Sequence, residues 1–226
     1  MATFCNIAGM RSFHSFLLVF VAASVLQPAG QAARKPHAAP KPGVGSASTC
    51  GPISDLIFKC ARFGFAYKVP FGWVDRTGDM DDSAENGKPE TKEKGTSETL
   101  LAIFERPPDA PGETINSAVV IAAESRANYQ GIKTATDYFG PITELAEQRG
   151  FKVVNEPYES VLGTKQLVRG DFSKERGKLT MWQSSLVMVE KGYIVSFTFV
   201  GGSEDELESL IGNLSFGTRP RNNPAK

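Results

Sequence analysis

The sequence has little of what catalysis at neutral pH most often uses, since its 226 residues include only two histidines and three cysteines. His14 falls in an apolar N-terminal segment and His37 in a stretch rich in proline and alanine, so we expect neither in the folded part. Ser-His-Asp and Cys-His arrangements both need a histidine beside the nucleophile. The usual zinc sites need more ligands than two cysteines. We therefore expect no catalytic residues of these kinds, no cofactor and no zinc.

An excess of charge of either sign is also lacking, because 25 Lys and Arg balance 25 Asp and Glu. The basic residues are scattered and usually neighbour acidic ones. A nucleic-acid groove or a patch for anionic membranes needs clustered basic side chains. The composition thus argues against nucleic acid as the partner.

The N-terminus has the pattern of a secretory signal peptide. Arg11 is the only charged residue before Arg34, and it precedes an apolar run over residues 16–26. Gly30 and Ala32 are small residues spaced as cleavage requires, which predicts a signal peptide over residues 1–32. The run is too short for a membrane span of about 20 residues. We expect export to the periplasm or the extracellular space, with no transmembrane anchor after cleavage.

Composition divides the rest of the chain into three parts. Residues 33–49 form a linker rich in Pro, Ala and Gly, and residues 218–226 form a polar tail. Between them, residues 50–217 are long enough for a single domain with a sizeable core. Within that domain, residues 78–97 hold almost no apolar side chains, which predicts a flexible loop.

Cys50 and Cys60 are the two cysteines after the predicted cleavage site. An oxidising compartment favours a disulfide between them; the alternative is two independent small hydrophobic residues. A continuous helix would hold them about 15 Å apart, too far for a bond. If they are bonded, the segment must bend back on itself.

Downstream, apolar residues mostly alternate, which indicates strands. Residues 99–107 and 115–125 are strand-length runs, and Gly163-Thr164 and Glu190-Lys191-Gly192 read as hairpin turns. The last long strand carries apolar residues on both faces, so we expect a cover on each side of the sheet.

Two amphipathic segments can supply these covers. Ser203 lies three residues before Glu206 as in a capping box, and an apolar stripe follows at Leu207, Leu210, Ile211 and Leu214. An earlier helix, kinked or restarted at Pro141, ends on Gly150. Its predicted apolar face holds Tyr138, Ile142, Leu145 and Ala146. The order predicts an α+β fold, a mainly antiparallel sheet covered by helices on both faces.

This order of elements resembles the PsbP-like family over residues 63–216. The resemblance is carried by loose motifs: Gly64-Phe65, Pro70, Gly72-Trp73, Gly163, Gly192 and Leu214-Ser215-Phe216. The family includes the PsbP subunit of photosystem II, the Ran-binding Mog protein and many exported bacterial domains. It implies an α-β-α sandwich that acts by binding or assembly. The family has no shared catalytic residues to carry over.

The stretch before the predicted loop places proline and glycine directly before a tryptophan. Pro70 lacks a donor N–H and is tolerated where a strand leaves its sheet. Gly72 lets the backbone turn, so that Trp73 can fold over the core beside Phe63, Phe65 and Phe71. The alternative is an exposed Trp73 that stacks on a sugar or a base.

Two other patterns point to function without specifying it. A carboxylate pair drawn from Glu105, Glu124, Asp171 and Glu175 could serve an exported hydrolase, although none has a flanking pattern beyond a solvated strand face. Gly201-Gly202, with Ser203, could cradle an anion before a helix, but two glycines after a strand more often form a plain loop. We expect a non-enzymatic binding or assembly module whose partner is another exported or envelope protein. The hydrolase is the alternative.

One acidic stretch has the spacing of an EF-hand loop. Its oxygen-bearing side chains fall at positions 1, 3, 5, 7 and 12, namely Asp79, Asp81, Ser83, Glu85 and Glu90. Ala84 takes the position where the sharp turn requires glycine, and Pro89 interrupts the end of the loop. We therefore favour a solvated acidic stretch over a calcium site.

Overall fold

The computed structural model of the chain describes residues 49–80, 97–107, 110 and 112–217. The predicted signal peptide, the linker up to residue 48 and the polar tail lie outside these residues. The elements are β1 (Ile57–Cys60), β2 (Phe65–Lys68), β3 (Val74–Asp75), β4 (Glu98–Phe104), β5 (Ala118–Ser125), α1 (Phe139–Gln148), β6 (Lys152–Leu162), β7 (Lys165–Arg176), β8 (Leu179–Glu190), β9 (Tyr193–Gly201), α2 (Glu204–Ile211) and β10 (Leu214–Phe216).

A seven-stranded antiparallel sheet in the order β3-β4-β5-β9-β8-β7-β6 forms the centre of the fold. One face packs on α2 and on a small antiparallel sheet of β1, β2 and β10. The other face packs on α1 through a cluster that includes Phe139, Val187 and Ile194. The predicted fold class, a mainly antiparallel sheet with helices on both faces, is confirmed.

Side-chain alternation along the central strands separates the two cores. Val195, Phe197 and Phe199 of β9 face the small sheet, whereas Ile194 faces α1. The first core is rich in aromatic contacts, and the ring of Phe197 lies 5.1 Å from that of Phe65 and 5.8 Å from that of Phe216. These rings join the small sheet to the large one.

Strands β6 to β9 form a meander joined by three two-residue turns. Gly163 begins the first turn with φ of +60°, and Lys191 and Gly192 form the last with φ of +50° and +81°. Both of these turns were predicted. The middle turn, with Gly177 at φ +66°, was missed because the charged segment around it reads as a loop. Strands β7 and β8 are therefore longer than their apolar runs indicated.

The segment between the two cysteines bends back as a disulfide requires. Ser54 and Ile57 exchange backbone hydrogen bonds of 2.9 and 3.0 Å across the turn residues Asp55 and Leu56. Both turn residues have positive φ, which non-glycine residues seldom adopt. The structure contains the Cys50–Cys60 disulfide, which closes this hairpin.

The turn before Trp73 explains the proline and glycine there. The N–H of Trp73 donates to the carbonyl of Pro70 at 3.4 Å, and Gly72 has φ of +82° at the position that type II turns reserve for glycine. Trp73 is partly buried against the core, as predicted. The expectation that Phe71 packs beside it was wrong: Phe71 is 91% exposed, because its position in the turn points it outward.

Both helices begin and end near their predicted signals. The Oγ of Ser203 accepts from the N–H of Glu206 at 3.1 Å, which confirms the N-cap of α2. Helix α1 starts at Phe139, so Pro141 lies in its first turn, where a missing N–H is tolerated. Two details were wrong. Leu214 belongs to β10 rather than to α2, and Leu145 is exposed on α1 rather than part of its buried face.

Candidate functional site

A cleft of about 220 Å³ lies between α2 and the strands β6, β7 and β8. Its rim is formed by side chains from both sides. Strand β6 contributes Val154 and Tyr158, and α2 contributes Glu204, Asp205 and Glu208, while Trp182 of β8 lies between them. We call this site the α2 cleft.

The floor of the α2 cleft is a charged pair on β7. Arg169 and Asp171 are two residues apart on one strand, so both side chains point to the same face of the sheet. The Nε of Arg169 lies 2.8 Å from a carboxylate oxygen of Asp171, and their side chains are only 14% and 7% exposed. The guanidinium also reaches Glu208 of α2 at 2.7 Å. The pair therefore ties the sheet to the helix.

Neighbouring strands satisfy the remaining oxygens of Asp171. Ser184 of β8 donates a hydrogen bond to this carboxylate and accepts one from Arg169 at 3.1 Å. From β6, the amide of Asn155 donates at 3.0 Å and the hydroxyl of Tyr158 at 3.3 Å. Charged and polar groups at this depth need such partners to be stable.

The contacts decide the ionisation of this carboxyl. Burial opposes the charge on Asp171, but hydrogen bonds from Ser184, Arg169 and Asn155 outweigh it, so the pKa of Asp171 is lowered. Burial likewise opposes the charge on Arg169, and the hydrogen bonds to Glu208 and Asp171 overcome it, so the pKa of Arg169 is raised. Both groups are thus held in their charged forms. A proton donor or acceptor that works at neutral pH needs a pKa of about 7, so the pKa of a carboxyl would have to be raised and that of a guanidinium lowered.

The other carboxylates that the sequence suggested have partners of their own. Of the four suggested carboxylates, no two share a hydrogen bond or an ion pair within the described residues. Their contacts are those of Glu105 with Arg106 at 3.4 Å, Glu124 with Tyr129 and Tyr138, Asp171 with Arg169, and Glu175 with Thr180 at 3.2 Å.

Glu124 is the suggested carboxylate on the α1 side of the fold. It accepts hydrogen bonds from Tyr129 and Tyr138, the second at 2.6 Å. Burial is the largest cause, followed by the hydrogen bond to Glu124; together they raise the pKa of Tyr129 to about 12 and also raise the pKa of Tyr138. Both hydroxyls therefore stay protonated and donate to Glu124. This cluster links α1 to β5.

The glycines before α2 do not offer a free anion site. The N–H of Gly202 donates to the carboxylate of Glu206 at 2.8 Å, and the same carboxylate accepts from the hydroxyl of Ser117. A second cleft of about 390 Å³ borders these residues and includes Glu105. Because the Glu206 carboxylate takes the position that an incoming anion would occupy, the structure favours a plain loop over an anion cradle at Gly201-Gly202.

Of the five calcium candidates, only Asp79 is described; Asp81, Ser83, Glu85 and Glu90 lie outside the described residues. Asp79 belongs to a helical turn over residues 77–80 and forms an ion pair with Arg76. No group of three potential metal-ligating side chains occurs within the described ranges. That residues 79–90 do not form a calcium site stays a prediction.

Since we expect no calcium site in this loop, millimolar calcium should leave the melting temperature unchanged. Calcium that bound only the native state would raise the melting temperature. Thermal unfolding with and without calcium measures this. The control is a chain in which a short Gly-Ser linker replaces residues 79–94, and it should melt within a few degrees of the natural chain. A calcium-dependent rise that this replacement abolishes would establish a site in the loop.

No known sequence family and no curated protein matches the chain. Solved structures similar to it include the cyanobacterial PsbP of Synechocystis, with 12% identity and a TM-score of 0.44 over 77% of this chain and 99% of that one. The Ran-binding protein Mog1p of Saccharomyces cerevisiae has 14% identity and a TM-score of 0.35 over 66% and 78%. LpqN of Mycobacterium tuberculosis, involved in cell envelope biogenesis, has 13% identity and a TM-score of 0.33 over 67% and 82%. The structural neighbours thus include PsbP and Mog proteins, the two that the sequence resemblance named.

None of the helices described has the length and apolar character of a membrane span.

Proposed function

We propose that the chain is an exported, non-enzymatic binding module that engages another exported or envelope protein through the α2 cleft. The observation that carries this proposal is that the buried and the exposed groups of the cleft differ in their contacts. Its buried groups, Arg169 and Asp171, are satisfied by neighbours, whereas exposed aromatic and acidic side chains form its rim. Such a rim supports recognition of a partner surface.

The inventory of reactive groups supports binding rather than catalysis. Both histidines precede residue 49, and both cysteines of the predicted mature chain are joined in a disulfide. Asp171 and Arg169 are held in their charged forms and are paired with each other at the floor of the cleft. We therefore propose that the cleft holds a partner and does not transform it.

Export rests on two independent features. The predicted signal peptide ends at Ala32, and the disulfide between Cys50 and Cys60 is of a kind that persists outside the reducing cytosol. Mass spectrometry of the protein recovered from its native host should find the mature N-terminus at Ala33. An intact Met1 on the recovered protein would refute export by this route.

Affinity capture from the native envelope tests the proposed binding site. Val154 at the rim of the cleft and Leu145 on α1 are 41% and 48% exposed, so each can be replaced by arginine without burying a charge. The partner should be recovered with the natural chain and with Leu145→Arg, and lost with Val154→Arg. Recovery that is equal for the two variants would place the contact elsewhere.

A further inference from the structure

We propose that the α2 cleft takes a lysine or arginine side chain of the partner protein. This inference rests on the binding role proposed above and specifies its chemistry. Four carboxylates line the cleft, those of Asp171, Glu204, Asp205 and Glu208, against the single guanidinium of Arg169. The negative charge is therefore only partly balanced from within.

The unbalanced charge lies on the open side of the cleft. Arg169 is shared between Asp171 and Glu208, and the Glu208 side chain stays 59% exposed. Within the described part of the chain, no ion pair or side-chain hydrogen bond engages the carboxylate of Glu204 or Asp205. A cation that enters between α2 and β6 would meet these acceptors.

Aromatic rings supply the second element of cation recognition. Tyr158 forms the opposite rim, and its ring already has the Arg169 guanidinium 6.0 Å from its centroid. Trp182 is partly buried, so its ring is held in place by the core. The face of an aromatic ring attracts a cation through the ring quadrupole, and the neighbouring carboxylates attract the same cation through their charge.

An anionic ligand is disfavoured at the same place. The N–H groups at the start of α2 are already used, since Ser203 accepts from Glu206 and Gly202 donates to the Glu206 carboxylate. The first turn of α2 also consists of three acidic residues, Glu204 to Glu206. Two of the donors near the start of α2 are therefore already satisfied within the chain, and the three carboxylates would repel a phosphate or a carboxylate.

The size of the cleft points to one side chain rather than a cofactor. Its volume of about 220 Å³ is below the ~300 Å³ at which pockets for small molecules begin. Strand β6 is an edge strand of the seven-stranded sheet, so an extended segment of a partner can approach beside it. A projecting lysine or arginine would then reach the carboxylates.

The test uses NMR spectra of the isotope-labelled exported chain, in which the indole N–H signals of Trp182 and Trp73 serve as probe and internal reference. The probes are capped tripeptides with a central lysine, arginine, norleucine or glutamate between glycines. Lysine and arginine peptides should shift the Trp182 signal, while Trp73, which does not line the cleft, should stay in place. The norleucine and glutamate peptides should shift neither.

Paired variants test the role of the carboxylates. Glu204→Gln with Asp205→Asn should weaken binding of the lysine peptide about tenfold, through the loss of two exposed charge contacts. Glu144→Gln with Glu147→Gln removes the same charge from α1 on the opposite face and should leave binding unchanged. Equal loss in both double variants would mean that only net charge matters, and would overturn the inference.

The remaining outcomes separate this inference from the proposed function. No Trp182 shift with either cationic peptide, or an equal shift with norleucine, would overturn the inference. If affinity capture nevertheless yields a partner that Val154→Arg loses, the cleft is a binding site of another chemistry. If the peptides bind as expected but capture does not depend on Val154, the recognition chemistry stands and the proposed role of the cleft in partner binding fails.

Discussion

Replacing Arg169 by methionine is expected to lower the free energy of unfolding by about 3–5 kcal/mol. The reason is the carboxylate left behind: Asp171 is 7% exposed, and without the guanidinium it would remain buried with no cation beside it. Chemical denaturation at neutral pH measures the loss. Arg176→Met, on the exposed end of the same strand, is the control and should change stability by less than about 0.5 kcal/mol.

The pH dependence gives this prediction a sign. In the natural chain the pKa of Asp171 is lowered, so its contribution is present above the unfolded value of about 3.9 and is lost as the pH falls through the lower folded value. In Arg169→Met the lowering by the guanidinium is lost while the hydrogen bonds from Ser184 and Asn155 remain, so the pKa of Asp171 should be higher than in the natural chain. The stability of that variant should therefore fall less than that of the natural chain as the pH falls below about 4.

A second substitution separates the charge from the packing. Arg169→Met combined with Asp171→Asn removes the buried carboxylate, so it should recover part of the loss seen with Arg169→Met alone. A loss below about 1 kcal/mol for Arg169→Met would mean that the pair behaves like an exposed ion pair. The floor of the α2 cleft would then be less rigid than the contacts indicate.

Removing the disulfide, by replacing Cys50 and Cys60 with alanine, should lower the free energy of unfolding by about 3 kcal/mol. The two residues are 10 apart in sequence, and the bond restricts this short loop in the unfolded chain. For a domain of this size the melting temperature should fall by about 6–12 °C. Thermal unfolding of the two chains measures the difference.

A reducing agent supplies the control for that experiment. It should lower the melting temperature of the natural chain to that of the alanine variant and leave the variant unchanged. Thiol titration of the denatured, unreduced mature chain should also find no free thiol. Two free thiols per chain would contradict the bond, and with it one of the two arguments for export.

Features set within a few residues could be predicted from the sequence. The turns at Gly163 and Gly192, the N-cap at Ser203 and the end of α1 at Gly150 depend on local backbone requirements. Alternating apolar residues on β9 similarly indicated a sheet covered on both faces. These signals were enough for the fold class because each of them depends on residues within a few positions of one another.

What was missed depends on residues far apart in the chain. Strand β10 exists because it pairs with β2, about 150 residues earlier in the chain. The exposure of Phe71 is the exception, a local effect of the turn at Gly72 that its apolar character concealed. Asp171 could be named as a candidate carboxylate from the sequence. Its partners Arg169, Ser184, Asn155 and Tyr158 come from three strands, and Glu208 joins them from a helix. No local pattern places these residues together, so the α2 cleft could not be predicted.

We claim that the protein acts by holding a partner in the α2 cleft, and site-specific photo-crosslinking in the native host can show the contact itself. A photoreactive amino acid is placed in turn at Val154 in the cleft, at Leu145 on α1, and at Phe71, the most exposed large apolar residue of the described chain. We predict one discrete crosslinked product from Val154 and none from the other two positions. A product from Phe71 or Leu145, with none from Val154, would contradict the claim and move the binding surface away from the cleft.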